Sequence, residues 1–336
     1  MGDPAGIGPE IILKTCVHPE VVANCRLVVI GEPWIFEQTN QIVQSPVVIR
    51  SIQQVSEAVF DPGVLNVMEL GILEEHSLAF GKICAEYGHV AFEAVRRNIE
   101  LALTGAVDAT VTAPIHKEAI NLAGHKYPGH TEIYAHYTGT SKFAMLLAEE
   151  NFRIVHVSTH VSLRQACDLV KKERVLEAIE LAHQACINLG IPDPKIGVAG
   201  LNPHAGDGGL FGWEEAEEIL PAIMAAQNKG LRVEGPLPPD TLFPKASGGF
   251  YDCCVAMYHD QGHIPFKVLG FSWDNQARKM NKVKGVNITL GLPIIRVSVD
   301  HGTAMEIAGQ NIASGDAMKL SLEYALRFSK NRKLVA

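Results

Sequence analysis

Ile196–Gly209 reads IGVAGLNPHAGDGG. A short apolar run with the composition of a buried strand, Ile196–Leu201, passes straight into a loop of turn-forming and chemically reactive residues, Asn202-Pro203-His204-Ala205-Gly206-Asp207-Gly208-Gly209. The same juxtaposition recurs along the chain. Ala109–Val111 leads to His116-Lys117, and Phe152–Val157 leads to Ser158-Thr159-His160. Cys253–Tyr258 leads to His259-Asp260-Gln261-Gly262-His263, and Ile294–Val299 leads to Asp300-His301-Gly302-Thr303. Open α/β sheets bind ligands beyond the carboxyl ends of their strands. The pattern therefore predicts an α/β protein in which five histidine-bearing loops converge on one face.

Further strand-like runs at Arg26–Ile30 and Val286–Leu290 alternate with amphipathic helical runs. These are Ile83–Leu103, Glu173–Leu189 and Glu214–Asn228, each followed closely by glycine, and Ala317–Ser329 behind the capping residues Ser314 and Asp316. A chain of 336 residues has the length of about two ordinary domains. With 47% hydrophobic residues it can bury sizeable cores. A net charge of −8 argues against a nucleic-acid surface. The absence of a long apolar run or a basic leader predicts a soluble cytoplasmic protein without membrane contact. The seven cysteines include no CxxC pair and read as reduced.

The opening residues Met1–Glu10, MGDPAGIGPE, have glycines at 2, 6 and 8, a proline suited to a helix's first turn, and an apolar-periodic run behind them. Such a helix start favours anions. A glycine turn of this kind ordinarily receives the chain from a strand, which is expected ahead of Gly2. His160, His204 and His259 are candidate ligands for a transition metal, since neutral imidazole suits zinc and its neighbours. Their wide separation in sequence proves nothing alone, but three protein ligands with open positions is the catalytic pattern. His130 and Thr131 open a short helical run after Pro128-Gly129, a place suited to phosphate. Asp240 lies in the proline-stiffened GPLPPDT loop. Lys267, Asn287 and Arg296 flank the histidine loops, where a cation suits carboxylate or phosphate.

GDPAGIGPE, TAPIHKEAI, PGHTE, GLNPHAGDGG, GPLPPDT, AMYHDQG, GVNITLGLP and SVDHGTA, in this order, resemble the 4-hydroxythreonine-4-phosphate dehydrogenase family over nearly the whole chain. The resemblance implies a two-domain α/β/α fold similar to isocitrate and isopropylmalate dehydrogenases, with the active-site cleft between domains. It implies a discontinuous terminal domain, residues 1–129 plus 286–336, with dinucleotide contacts. It also implies a metal, substrate and dimerisation domain at 130–285. The implied chemistry is NAD- or NADP-dependent oxidation of a phosphorylated hydroxy acid, followed by decarboxylation. One divalent ion per site (Zn, Mg, Co, Mn or Ni) would be held by His160, His204 and His259, one of them reaching across a homodimer with shared sites. Substrate-binding positions fall on His130, Thr131, Lys267, Asn287 and Arg296, and catalytic positions on Lys267, Asp240 and Asp260.

Two features depart from the family pattern. The expected first strand is missing ahead of Gly2. The segment between Lys267 and Asn287, with Trp273, Arg278 and Lys279, is long for the vitamin B6 enzyme. With His263-Ile264-Pro265 it looks more like a branch acting on 4-phospho-D-threonate or 4-phospho-D-erythronate. The alternatives are 4-phosphohydroxy-L-threonine dehydrogenase of pyridoxal phosphate synthesis, a metallohydrolase using metal-bound hydroxide, and a non-catalytic phosphometabolite-binding protein.

Overall fold

The computed structural model describes all residues but 76, 77, 276, 277, 284 and 336, and of these the side chains of all but 273, 274, 279–283 and 333–335. The chain divides into a terminal unit, Met1–Thr140 with Leu292–Leu326, and a central unit, Ser141–Gly291 with Arg327–Ala336.

The terminal unit begins with α1 (Gly8–Cys16), α2 (Pro19–Asn24), β1 (Val28–Gly31), α3 (Pro33–Val43), β2 (Val48–Ile52) and β3 (Val64–Glu69). The three strands form a parallel sheet in the order β1-β3-β2. Leu13, Trp34, Ile35, Phe36, Leu65 and Val67 share one core. There follow α4 (Ala85–Leu103), β4 (Thr110–Thr112), α5 (Lys117–Leu122) and α6 (His130–Tyr137). Phe92, Val95 and Ile99 on α4 bury Ile133 and Tyr134 of α6. A buried isoleucine is worth roughly 1.5–3 kcal/mol, so this contact ties α6 to α4.

In the central unit the chain makes β5 (Ala144–Glu149), β6 (Phe152–His156), α7 (Leu163–Leu169), α8 (Lys172–Asn188) and β7 (Ile196–Ala199). It continues through α9 (Leu220–Asn228), β8 (Val233–Leu237), α10 (Pro239–Ser247), β9 (Cys253–Ala256), α11 (His259–Gly270), β10 (Phe271–Asp274), β11 (Lys279–Val283) and β12 (Val286–Leu290). Six of these strands lie in the order β12-β5-β6-β9-β7-β8. β6, β9, β7 and β8 are parallel to one another, while β5 is antiparallel to both β12 and β6. Every residue of β5, β6, β7 and β9 is buried, as expected of strands covered on both faces. β10 and β11 form a separate antiparallel ribbon. The chain then returns to the terminal unit with β13 (Arg296–Val299), parallel to β4, and ends in α12 (Asp316–Val335), of which the residues from Arg327 on are counted with the central unit.

The boundaries expected at 129/130 and 285/286 are displaced. Residues 130–140 belong to the terminal unit because α6 buries its apolar side chains on α4. β12 belongs to the central unit because it pairs along its length with β5. No helix among the described residues is long and apolar enough to cross a membrane. All seven cysteines are free thiols.

Candidate active site

Because β6, β9, β7 and β8 run parallel, the residues that follow them emerge at one edge of the central sheet. His160 follows β6, His259 follows β9 and opens α11, His204 follows β7, and Asp240 follows β8 in the first turn of α10. β9 lies between β6 and β7, so His259 stands between the other two loops. In the terminal unit β4 and β13 are likewise parallel and carry His116 and His301 at their common end.

The rings of His160 and His259 are 6.0 Å apart. Asp260 Oδ1 lies 2.7 Å from His259 Nδ1. A carboxylate can only accept, so Nδ1 carries a proton, and in the neutral ring this leaves the lone pair on Nε2, as in metal-ligating histidines backed by a carboxylate. One helical turn on, His263 stacks on His259 at 3.6 Å with 11° between ring planes. Its Nδ1 donates to the His259 carbonyl oxygen over 2.9 Å. Beneath it, 4.7 Å away, is His156 of β6. His156 is fully enclosed, and burial pushes its pKa down to about 3, while burial and His259 push that of His263 down to about 4. His259 thus rests on uncharged rings.

His204 is held differently. Residues 204–208 all have positive φ (54°, 55°, 82°, 45° and 68°), a left-handed turn in which only Gly206 and Gly208 are at ease. The loop closes on Glu215, whose Oε1 accepts the Leu201 and Asn202 N–H groups at 2.8 and 2.7 Å, and whose Oε2 accepts Asn202 Nδ2 at 3.0 Å. The His204 ring meets Phe211 edge-on at 6.2 Å. Among the described residues of the single chain, no group of three or more His, Cys, Asp or Glu side chains is arranged to hold a metal ion. One chain brings the His160 and His259 rings within 6.0 Å of each other, and among the described residues His204 does not complete a three-donor group with them. The donors of the pair fit a divalent ion in kind, two imidazoles with one carboxylate-backed, but supply only part of a ligand set.

Lys267 lies near the end of α11 with its Nζ 4.1 Å from the centre of the Phe271 ring, a cation–π contact at the root of the β10–β11 ribbon. That ribbon is the long segment before Asn287; the side chains of Trp273 and Lys279 lie outside the described residues, and Arg278 is exposed at the turn. Asn287, on β12, has an enclosed Oδ1 with no partner among the described residues. Asp240 is exposed.

The terminal unit holds the remaining candidates. Arg296 of β13 is 2% exposed. Its Nη2 donates to Thr112 Oγ1 over 3.1 Å and its guanidinium lies 5.6 Å over the Tyr134 ring. Burial lowers its pKa to about 10. His130, at the start of α6, has an enclosed Nε2 without a partner among the described residues. Burial, and then the Arg296 charge, push its pKa well down. Thr131 beside it is buried. The Met1–Glu10 turn does not fit an anion cradle. The Ala5 N–H donates to Asp3 Oδ1, Gly6 to the Asp3 carbonyl, and Ile7 to the Thr303 carbonyl. A Cβ at Gly6 would lie 2.9 Å from that same carbonyl oxygen, so these glycines serve close backbone packing.

Sequence reasoning missed Glu215, Gln261 and the supporting role of His156 and His263. His263 had a readable signal, its helical spacing from His259, whereas a buried acid in a surface-like EEAEE run has none.

The family model described as "Pyridoxal phosphate biosynthetic protein PdxA" matches residues 23–325. The chain is similar to D-threonate 4-phosphate dehydrogenase of Cupriavidus necator, at 46% identity over 97% of this chain and 96% of that one. It is also similar to 4-hydroxythreonine-4-phosphate dehydrogenase of Beijerinckia indica, at 46% identity over 97% and 93%. Among solved structures it resembles 4-hydroxythreonine-4-phosphate dehydrogenase of Klebsiella pneumoniae, with a TM-score of 0.85 at 43% identity over 98% and 96% of the two chains. The chain belongs to the PdxA family.

Proposed function

We propose that this oxidoreductase oxidises the secondary alcohol of a 4-phosphorylated 3-hydroxy acid with NAD or NADP and a divalent metal, and that the resulting 3-oxo acid loses CO2. The observation that carries the metal part is the carboxylate-backed His259 beside His160 at the carboxyl edge of a parallel sheet. A divalent ion held by His160 and His259 would lower the pKa of a hydroxyl bound to it, and a nicotinamide would supply the hydride acceptor. The chain's own groups orient and neutralise. Asp260 holds the His259 ring so that Nε2 is presented. Lys267 supplies a positive charge fixed over Phe271 for a substrate anion. In the terminal unit, Arg296 and the enclosed His130 offer a buried cation and an uncharged imidazole that suit an anion.

The favoured substrates are 4-phospho-D-threonate and 4-phospho-D-erythronate. Relatives of both printed names stand at 46% identity, so identity does not choose between them. The choice rests on the ribbon between Lys267 and Asn287, two positions assigned to substrate binding. A site shaped for a 2-hydroxyl disfavours an ammonium, whose added charge needs a partner. The Beijerinckia indica relative favours the second reading, 4-phosphohydroxy-L-threonine. Initial rates of nicotinamide reduction with all three compounds decide. A kcat/KM at least about tenfold higher for the phospho-sugar acids is expected, since one contact of this kind is worth that much. A preference for the amino acid assigns the vitamin B6 reaction.

The third imidazole, His204, we assign to a second copy of the chain in a homodimer with shared sites. Support comes from the exposed apolar residues Leu210, Phe211 and Trp213 that follow it in the same loop.

A further inference from the structure

We propose that Glu215 and Gln261 are positioning residues that set where His204 stands relative to the His259 loop. The inference rests on the metal role assigned above to His204, and goes beyond it by naming what fixes that residue against the rest of its own subunit.

After β7 the chain does not enter a regular helix. The chain instead reverses through five left-handed residues, of which His204, Ala205 and Asp207 each carry a side chain that disfavours that conformation. Such a loop persists only where its surroundings over-determine it. Glu215 supplies much of that constraint. It is 5% exposed, and its two oxygens take three hydrogen bonds from Leu201 and Asn202, the residues immediately before the turn. A Cβ on Gly206 would lie 2.8 Å from Glu215 Oε2, and one on Gly200 would lie 2.8 Å from the Ala205 backbone. The carboxylate therefore lies against the inside of the turn, where a side chain at position 206 would crowd it.

Gln261 couples this turn to the next loop. It is buried, two residues beyond His259. Its Oε1 accepts the Met257 N–H at 2.6 Å, at the end of β9, and its Nε2 donates to the Gly200 carbonyl at 2.8 Å, at the end of β7. Hydrogen bonds thus run from Met257 through Gln261 to Gly200, and from Leu201 and Asn202 into Glu215. Both side chains use all the capacity that their positions demand: Glu215 only accepts, and Gln261 both accepts and donates. Neither contacts a ring of the histidine set in any hydrogen bond, so both act through backbone placement.

The test compares four variants with the wild type: Glu215→Gln, Gln261→Met, His204→Ala, and the control Glu218→Gln. Glu218 is on the same segment and pairs with Lys171 at the surface. Glu215→Gln keeps the volume but sets an amide NH2 against Asn202 Nδ2, and Gln261→Met keeps the volume while removing both hydrogen bonds. The readouts are kcat/KM, Zn2+ affinity by competition with a chromophoric chelator, and amide exchange of the peptide spanning 200–209. We expect Glu215→Gln and Gln261→Met to speed exchange in that peptide and to lower Zn2+ affinity and kcat/KM by about 10–100-fold, the usual cost of losing a group that orients a ligand. Glu218→Gln should change none of them. Combined with His204→Ala, Glu215→Gln should add no further loss, because both act on one ligand. Unchanged exchange or unchanged Zn2+ affinity in both variants, or losses that multiply with His204→Ala, overturns the positioning role. If His204→Ala itself retains wild-type affinity and rate, the metal assignment of His204 falls, and the positioning role falls with it. If Glu215→Gln does not fold, Gln261→Met carries the same comparison alone.

Discussion

At the scale of single residues, His156 shows how burial determines chemistry. It is 1% exposed in an all-buried strand, and its Nε2 has no partner among the described residues. Its Nδ1 approaches the Met145 carbonyl at 3.4 Å, a weak contact. Its titrating neighbours are His263 and His259 of α11 and His160 of the loop after β6. Burial first, and then these imidazoles, hold its pKa at about 3 against 6.5 in the unfolded chain. The folded state therefore binds fewer protons than the unfolded one between these values. The stability that follows is present above pH 6.5 and is lost as pH falls toward 3. Between pH 8 and pH 5 the loss is about 2 kcal/mol for this group. His156→Leu should lose correspondingly less urea stability over that interval. Equal pH dependence of the two midpoints would show that His156 is not buried neutral. The strand FRIVHV was readable from its pattern, but not that its histidine points into a core, because a fully buried strand has no alternation to mark a side.

At the scale of elements, the parallel strands and the loops behind them were legible because apolar runs ending in polar, glycine-rich turns are local signals. β5 was not. Its AMLLAE composition is that of a helix, and only pairing with β6 and β12 makes it a strand. β8 was hidden by Gly235 and Pro236, which an edge strand tolerates. The left-handed course of 204–208 has no periodic signature either, and so the sequence offered no guide to the direction of the histidine placed in it. Helix packing in the terminal unit offers a sharp test. Gly88 of α4 faces the backbone of Ala119 and Ile120 in α5, and a Cβ there would overlap the Ala119 carbonyl. The overlapped atoms are backbone and cannot swing aside. Gly88→Ala should therefore destabilise by about 1–3 kcal/mol, despite alanine's better helix propensity of roughly 1 kcal/mol over glycine. A chemical-denaturation midpoint equal to or above wild type would mean that α4 and α5 can separate cheaply.

At the scale of the whole molecule, the question is how one chain with two of three imidazoles side by side completes a site. Each candidate ligand is followed by exposed large apolar side chains: Leu163 on α7 after His160, Trp213 after His204, and Ile264 and Val268 on α11 after His259. Exposed apolar residues gathered around polar chemistry are the usual mark of a partner surface, and two copies related by a two-fold axis would bury the same patch twice. Sedimentation should accordingly give twice the mass of the chain, and Trp213→Asp should shift it toward the single chain with loss of activity. The shared site makes a sharper claim. Because His160 and His259 are 6.0 Å apart in one chain, inactive His160→Ala and His259→Ala subunits should not rescue one another. His204→Ala mixed with His259→Ala should, since the heterodimer holds one site with His160 and His259 from one copy and His204 from the other. With random exchange at equal amounts, half of the dimers are mixed and half of their sites are whole, so about a quarter of wild-type activity returns. Recovery in the first mixture, or none in the second after exchange is demonstrated by mass, would place all three imidazoles on another plan and return His204 to a role within its own chain.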